Sequence, residues 1–292
     1  MTSRPIRVLA HAKINLFLRV LRHREDGYHD IQSLVSPITL ADEVSVLSAD
    51  RLRVKVGGQT SAVGGLNLAL VAALALAEGC PDAGGALIQI NKRIPVAAGL
   101  GGGSADAAAA LRALNDLWGC GVDAVALERI AERIGSDVPA MLRHEPLLMS
   151  GRGERLVPAE VATFHWALVR FGFGVRSPDA YRWWDIDGGR SGPDPGPLLA
   201  AAAGGDAETL GRHLFNDLEG PVFSRHPELR AAKQRLIEAG ALGAVMSGSG
   251  SSVLGLARDA AHAGELAARF DGASPVVSPP PRRDNRSRSG VV

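Results

Sequence analysis

The chain has 292 residues, 46% hydrophobic and 22% charged, a length and composition that suit a globular protein with one or two cores and about two domains. Lys and Arg number 32 against 31 Asp and Glu, a net charge of +1, so no nucleic acid or membrane partner is implied and an anionic ligand needs a local site. The two cysteines, Cys80 and Cys120, make no CxxC pair and are expected as reduced, buried thiols; with no signal segment and no bilayer-length apolar run, a cytoplasmic location is expected.

Apolar runs at 6–10 and 14–21 read as two strands, and residues 22–29, with Asp26-Gly27, as a polar turn. Strands are expected at 31–40 and 44–47, and a solvent-facing one at 51–56. Residues 66–77 read as a core helix and 86–90 as a strand, followed by Lys92-Arg93. A glycine-rich segment leads into a helix over 105–118, which Gly119 ends. A second helix over 124–134 ends at Gly135, and strands follow near 147–149 and 166–171. Residues 185–197, rich in Gly, Pro and Asp, read as a surface loop. Helices are expected at 198–214 and 228–239, a strand–loop–strand at 245–256, a last helix at 257–270 and a strand near Val276. The Pro- and Arg-rich end has no apolar period and is expected to be disordered. These elements divide into units of 1–160 and 161–277 with a tail at 278–292.

The segment Pro95-Val96-Ala97-Ala98-Gly99-Leu100-Gly101-Gly102-Gly103-Ser104-Ala105 is the most unusual in the chain. Glycines let backbone N–H groups turn toward a ligand, and Ser104 can cap a helix starting at Ala105. The free N–H groups and the helix dipole then favour an anion. A bare strand-to-helix turn needs only one or two glycines, so phosphate binding is the better reading. The loop is not GxxxxGK[ST] or GxGxxG, and the chain lacks HRD and DFG.

Lys13 and Asn15 lie on one face of an otherwise apolar strand by period-two alternation, which suggests a lined pocket. Alone, Lys13 is better read as snorkelling from an edge strand. Asp137, in Gly135-Ser136-Asp137-Val138-Pro139, stands level between a helix cap and a catalytic carboxylate. Small residues from Ser247 to Ser252 make a second possible anion nest. Eight histidines are scattered without HExxH or a Cys/His cluster, so no metal site is assigned, and no GxSxG elbow exists.

Ala12-Lys13-Ile14-Asn15, the glycine loop and the Ser247–Ser252 loop resemble, in order, the three motifs of the GHMP kinases. Asp26-Gly27-Tyr28-His29, Gly135–Pro139 and Phe215-Asn216-Asp217-Leu218-Glu219 narrow the resemblance to the diphosphocytidyl-methylerythritol kinase branch. It spans about residues 8–277; the tail and the 176–181 segment depart from it. The resemblance implies a two-domain α+β fold, the N-terminal half like domain 2 of ribosomal protein S5 and the C-terminal half an α/β sandwich. It implies transfer of the γ-phosphoryl of ATP to the 2-hydroxyl of a cytidine diphosphate derivative in isoprenoid precursor synthesis, with Mg²⁺ on the nucleotide. Lys13 and Asp137 would be the catalytic pair. Residues 95–105, with Asn67 and Lys92, would hold ATP, and Asn15, Tyr28 and His29 the substrate. A monomer or homodimer is expected. The alternatives are a GHMP kinase for homoserine, mevalonate or a sugar, or a non-catalytic module on this scaffold. Tyr28-His29 argues against the former, and the presence of both Lys13 and Asp137 against the latter.

Overall fold

The computed structural model describes residues 4–58 and 67–280. Its first feature is a long antiparallel hairpin of β1 (Ile6–His23) and β2 (His29–Ser48), closed at His23 opposite His29. The sequence breaks at 11–13 and 41–43 do not divide these strands as expected. The register shifts at His11/Lys13, Asn15/Phe17 and Val20/Arg22, so the irregular positions are absorbed as bulges while pairing continues.

Next come β3 (Arg53–Gly58), α1 (Leu68–Ala77) and β4 (Ala86–Lys92), with β3 and β4 parallel across the helical crossover. Leu66, expected to open α1, lies outside the described residues; Asn67 caps that helix, its Oδ1 accepting from Ala69 N at 2.9 Å. The glycine loop then enters α2 (Gly102–Trp118). This helix starts three residues before the expected position. Gly101 is its N-cap at φ 68°, so Ser104 lies within the first turn and does not cap it. A left-handed residue without a side chain ends the loop more sharply than a serine cap can.

The N-terminal half continues through α3 (Ala124–Ile134), α4 (Val138–Arg143) and the hairpin of β5 (Leu147–Gly151) and β6 (Arg155–Pro158). The short, largely exposed β6 gave no pattern to read. The second half contains β7 (Phe164–Val169), α5 (Ser177–Ile186), α6 (Gly196–Gly204), α7 (Ala207–His213), β8 (Phe215–Asn216), α8 (Glu219–Arg225), α9 (Pro227–Glu238), β9 (Gly243–Met246), β10 (Val253–Ala257), α10 (Ala260–Ala267) and β11 (Ser274–Ser278). Where one helix was expected over 198–214 there are two. Gly205 turns left-handed at φ 74°, and Asp206 caps α7 by accepting from Thr209 N. The expected 185–197 loop loses Asp185 and Ile186 to α5.

The fold is α+β with two sheets. One runs β3-β4-β2-β1-β8, with β5 on β2 and β6 on β5; the other runs β11-β7-β10-β9. Alanines at 105, 107–110 and 113 are buried in α2, which lets the helix backbone lie close to β1 and β2. A further core cluster joins Phe17, Leu34 and Ile94 to Trp166, Leu198 and Leu254. Ser278, expected in the tail, closes β11, its hydroxyl 2.8 Å from that of Ser36; residues 281–292 of the expected tail lie outside the described residues.

The cysteines are not the reduced thiols expected. Cys80 and Cys120 form a disulfide with Cα atoms 5.2 Å apart. Each follows the C-terminus of one of two packed helices, α1 and α2, so tertiary packing brings together residues 40 positions apart.

Candidate active site

A cleft of about 1370 Å³ runs between the hairpin, the start of α2, the start of α4 and α5. The glycine loop forms one wall, with the carbonyls from Ala97 to Gly101 turned into the protein. Ala97 O accepts from Val175 N at 2.9 Å, Ala98 O from Ser252 N at 3.1 Å and Leu100 O from Lys13 N at 3.0 Å. Gly99 O accepts from Lys13 Nζ and Ser247 Oγ, and Gly101 O from Ala105 N. No acceptor among the described residues takes the N–H groups from Val96 to Ser104. The loop therefore presents donors to the cleft and hides its acceptors, the polarity an oxyanion requires. Positive φ at Ala97, Gly99 and Gly101 turns the backbone so that it can adopt this polarity.

Lys13 and Asn15 do share a face. Lys13 Nζ donates to Asn15 Oδ1 at 2.7 Å and to Gly99 O at 3.0 Å. Both of these bonds hold the ammonium inside the cleft, and Lys13 N donates to Leu100 O of the glycine loop, so Lys13 is no snorkelling edge residue. Asn15 Nδ2 in turn donates to Ser33 Oγ at 2.8 Å. Burial lowers the Lys13 pKa, and the negative charge of Asp137 draws it back up. Asp137 lines the same cleft but does not receive a hydrogen bond from Lys13, whose donors go to Asn15 and Gly99. Asp137 holds the N-cap position of α4, yet its side chain makes no capping bond. Its carboxylate is left facing the cleft.

Asn67 and Lys92 also line the cleft, and both have structural partners. Asn67 spends its carbonyl on the α1 cap. Lys92, 6% exposed, is held between Asp42 and Asp106, at 2.7 Å from the latter. Asp42 also accepts from Ile94 N, so the triad fixes the strand end that precedes the glycine loop. Burial pushes the Asp106 carboxyl up to about 7, against the pull of Lys92. The Ser247–Ser252 loop is a buttress rather than an open nest. Ser247, Ser249 and Ser251 donate to the carbonyls of Gly99, Val175 and Phe173, and only Gly248 and Ser249 reach the cleft.

Tyr28 and His29 sit at the far end, on the hairpin turn. Tyr28 is 52% exposed, with the Arg152 guanidinium 5.0 Å from its ring centroid. His29 is buried; its ring stacks on Tyr181 at 4.9 Å, meets Trp184 edge-on at 5.7 Å, and its Nε2 lies 2.9 Å from Asp185 Oδ1. Burial and the charge of Asp137 push the Tyr181 phenol well above its ordinary range. Tyr181 thus stands between the Asp137 carboxylate and the hairpin end of the cleft. Sequence reading missed Tyr181, Asp185 and Arg152. The one available signal was an aromatic-rich segment, Tyr181-Arg182-Trp183-Trp184, directly before the Gly/Pro-rich loop.

Residues 67–145 match the family model described as the GHMP kinases N terminal domain, and residues 198–274 that described as GHMP kinases C terminal. The chain is 44% identical over 265 residues to the 4-diphosphocytidyl-2-C-methyl-D-erythritol kinase of Symbiobacterium thermophilum, covering 89% of this chain and 93% of that protein. A crystal structure of 4-(cytidine 5'-diphospho)-2C-methyl-D-erythritol kinase superposes with a TM-score of 0.79 at 36% identity, covering 94% of this chain and 99% of the other. The homoserine kinase of Cytophaga hutchinsonii shares the fold, with a TM-score of 0.70 at 19% identity over 94% of this chain and 95% of that one.

Proposed function

The chain belongs to the GHMP kinase family, and we propose that it transfers the γ-phosphoryl of ATP to the 2-hydroxyl of 4-diphosphocytidyl-2-C-methyl-D-erythritol, giving the 2-phosphate and ADP. The observation that carries phosphoryl transfer is the inverted polarity of the glycine loop, with five consecutive carbonyls, from Ala97 to Gly101, bonded inward and the N–H groups facing the cleft. The likeness to kinases of this substrate over nearly the whole chain supports the choice of acceptor. Such an enzyme serves isoprenoid precursor synthesis. A cytoplasmic location rests on the pathway reading alone, since the Cys80–Cys120 disulfide does not favour a reducing compartment; no helix among the described residues is long and apolar enough to cross a membrane.

In this reading residues 95–105 cradle the triphosphate of MgATP. The Mg²⁺ arrives on the nucleotide, where it offsets charge on the phosphate oxygens. Ser104, whose hydroxyl is free of a cap, and the first-turn N–H groups of α2 meet the same oxygens. Lys13, fixed by Asn15 and Gly99, places its ammonium beside the cradle and offsets charge that develops as the phosphoryl moves. Asp137 accepts or orients the proton of the attacking hydroxyl. The new bond joins that oxygen to the γ-phosphorus, the bond from the γ-phosphorus to the β–γ bridging oxygen breaks, and ADP leaves. Tyr28 and His29 hold the cytidine end, Tyr28 offering an exposed ring for stacking. Lys92 acts through the loop, as it is already engaged by two carboxylates.

An ADP-release assay with a panel of acceptors tests this. The cytidyl substrate should be turned over, and homoserine, mevalonate and free sugars should not. Turnover of one of those alone would move the protein to another branch of the family. No turnover of any, with intact ATP binding, would favour a non-catalytic role.

A further inference from the structure

We propose that His23, His29 and Asp185 form a binding site for a zinc-class transition-metal ion at the rim of the cleft. One donor atom from each of the three lies within 4.8 Å of the others. Two imidazoles and one carboxylate suit zinc, cobalt, nickel or copper, whereas Mg²⁺ prefers an all-oxygen shell. The site is therefore distinct in chemistry from the one that receives MgATP.

The backbone assembles it from two distant parts of the chain. His23 and His29 are direct cross-strand partners at the closed end of the hairpin, and their rings meet edge-to-face at 4.9 Å. Asp185 comes from the last turn of α5, 156 positions from His29. The three differ in freedom. His29 is buried and its plane is set by Tyr181 and Trp184, while His23 and Asp185 are exposed and can swing to close the donor distances to metal-bond length. The His29–Asp185 hydrogen bond already aligns a ring nitrogen with a carboxylate oxygen; the metal replaces the proton between them. Neighbouring carboxylates do not compete. Asp30 is bound by Arg22 and Arg24, and Asp26 by Arg24. Three protein ligands leave a fourth position for water or a ligand. The ion would also clamp the hairpin tip to α5.

The site stands apart from the reaction proposed above, but one consequence rests on that reading. If His29 serves the cytidine end, the metal and the cytidyl substrate exclude each other. The binding test uses Co²⁺ and Zn²⁺ alone, titrated into tag-free protein without nucleotide or Mg²⁺. Co²⁺ absorption and calorimetry should report one equivalent. His23→Ala and Asp185→Asn, checked for folding by circular dichroism, should each weaken binding at least about tenfold. His213→Ala, at an exposed histidine elsewhere, should bind like the wild type. No binding to the wild type, or unchanged affinity in the folded His23→Ala protein, overturns the site. A kinetic arm separates the two readings. Zn²⁺ should raise KM for the cytidyl substrate with kcat unchanged, and this effect should shrink in His23→Ala. Metal binding without inhibition would keep the site and remove His29 from the cytidine end.

Discussion

Asp137 occupies the N-cap of α4 without using its carboxylate there, so its replacement should appear chiefly in turnover. A capping carboxylate lost to Ala costs about 0.5–2 kcal/mol; Asp137→Asn loses no cap, and its urea midpoint should shift only by the charge it withdraws from the buried Lys13 ammonium. Its kcat should fall roughly 10²–10⁴-fold, since charge is lost with shape kept. Lys13→Met should lower kcat as well and also stability, because Asn15 Oδ1 and Gly99 O lose a donor. If the two act as a unit, the double variant is little worse than either alone. Near wild-type kcat in Asp137→Asn, or multiplicative losses, would return Asp137 to a structural role. A second residue predicts a pH effect. Asp106 is raised from 3.8 to about 7 by burial, so the folded protein holds a proton that the unfolded chain has released between those values. Its contribution is full below about 4 and is lost as pH rises through about 7. Asp106→Asn removes this titration, so urea unfolding from pH 4 to pH 8 should show a flatter fall in stability than the wild type. An unchanged slope would place the titration elsewhere. Lys13 and Asn15 were legible because alternation alone puts them on one face. The Lys92 triad was not, since Asp42 and Asp106 lie 50 and 14 positions from Lys92.

At the scale of elements, the glycines of the loop have different tasks, and substitution should separate them. A Cβ at Gly99, where φ is 74°, would strike the carbonyl oxygen of Ser247 in the buttressing loop. Backbone cannot give way cheaply, so Gly99→Ala should destabilise by about 1–3 kcal/mol. At Gly101 the φ of 68° is the main penalty, about 1–2 kcal/mol. The added carbon would also press on Met141 and on Lys13 Cγ, 3.3 Å away, so turnover should fall with stability. Gly103 lies in the first turn of α2, and its Cβ would meet only Leu68 Cδ1, at 3.6 Å. Gly103→Ala should be neutral, or stabilise by up to about 0.5–1 kcal/mol as alanine replaces glycine in a helix. Thermal unfolding with ATP titration on the three variants checks the order; equal losses at all three would contradict it. Composition exposed this loop plainly, but not which glycine met which neighbour. The same limit explains α6 and α7. Their apolar pattern runs on across Gly205-Asp206, and only the left-handed turn and the Asp206 cap divide them.

For the whole molecule, local patterns named most strands and helices but could not show how the halves share one interior. Phe17 stacks on Phe215 with centroids 5.5 Å apart, and β8 adds two residues of the second half to the first sheet. Such pairing leaves no periodic trace, since it joins positions 198 apart along the chain. The α5 wall was illegible for the same reason: Tyr181 and Asp185 gain meaning only when packed against His29. The disulfide is the clearest case. Nothing in a spacing of 40 residues marks Cys80 and Cys120 as partners; the packing of α1 on α2 does. Both helices begin at the cleft and end at the bond, so the cross-link ties their far ends and leaves the site itself untouched. Closing a loop of this length restricts the unfolded chain by roughly 4 kcal/mol. Urea unfolding of the oxidised protein should therefore exceed that of Cys80→Ser by up to about this amount. Addition of a thiol reductant should bring the wild type down to the variant while leaving the variant unchanged. kcat should be the same in all four samples, because the bond acts on the unfolded state. A stability gap that persists under reductant would mean that the cysteines contribute by packing, and a loss of kcat on reduction would mean that the bond also shapes the start of α2.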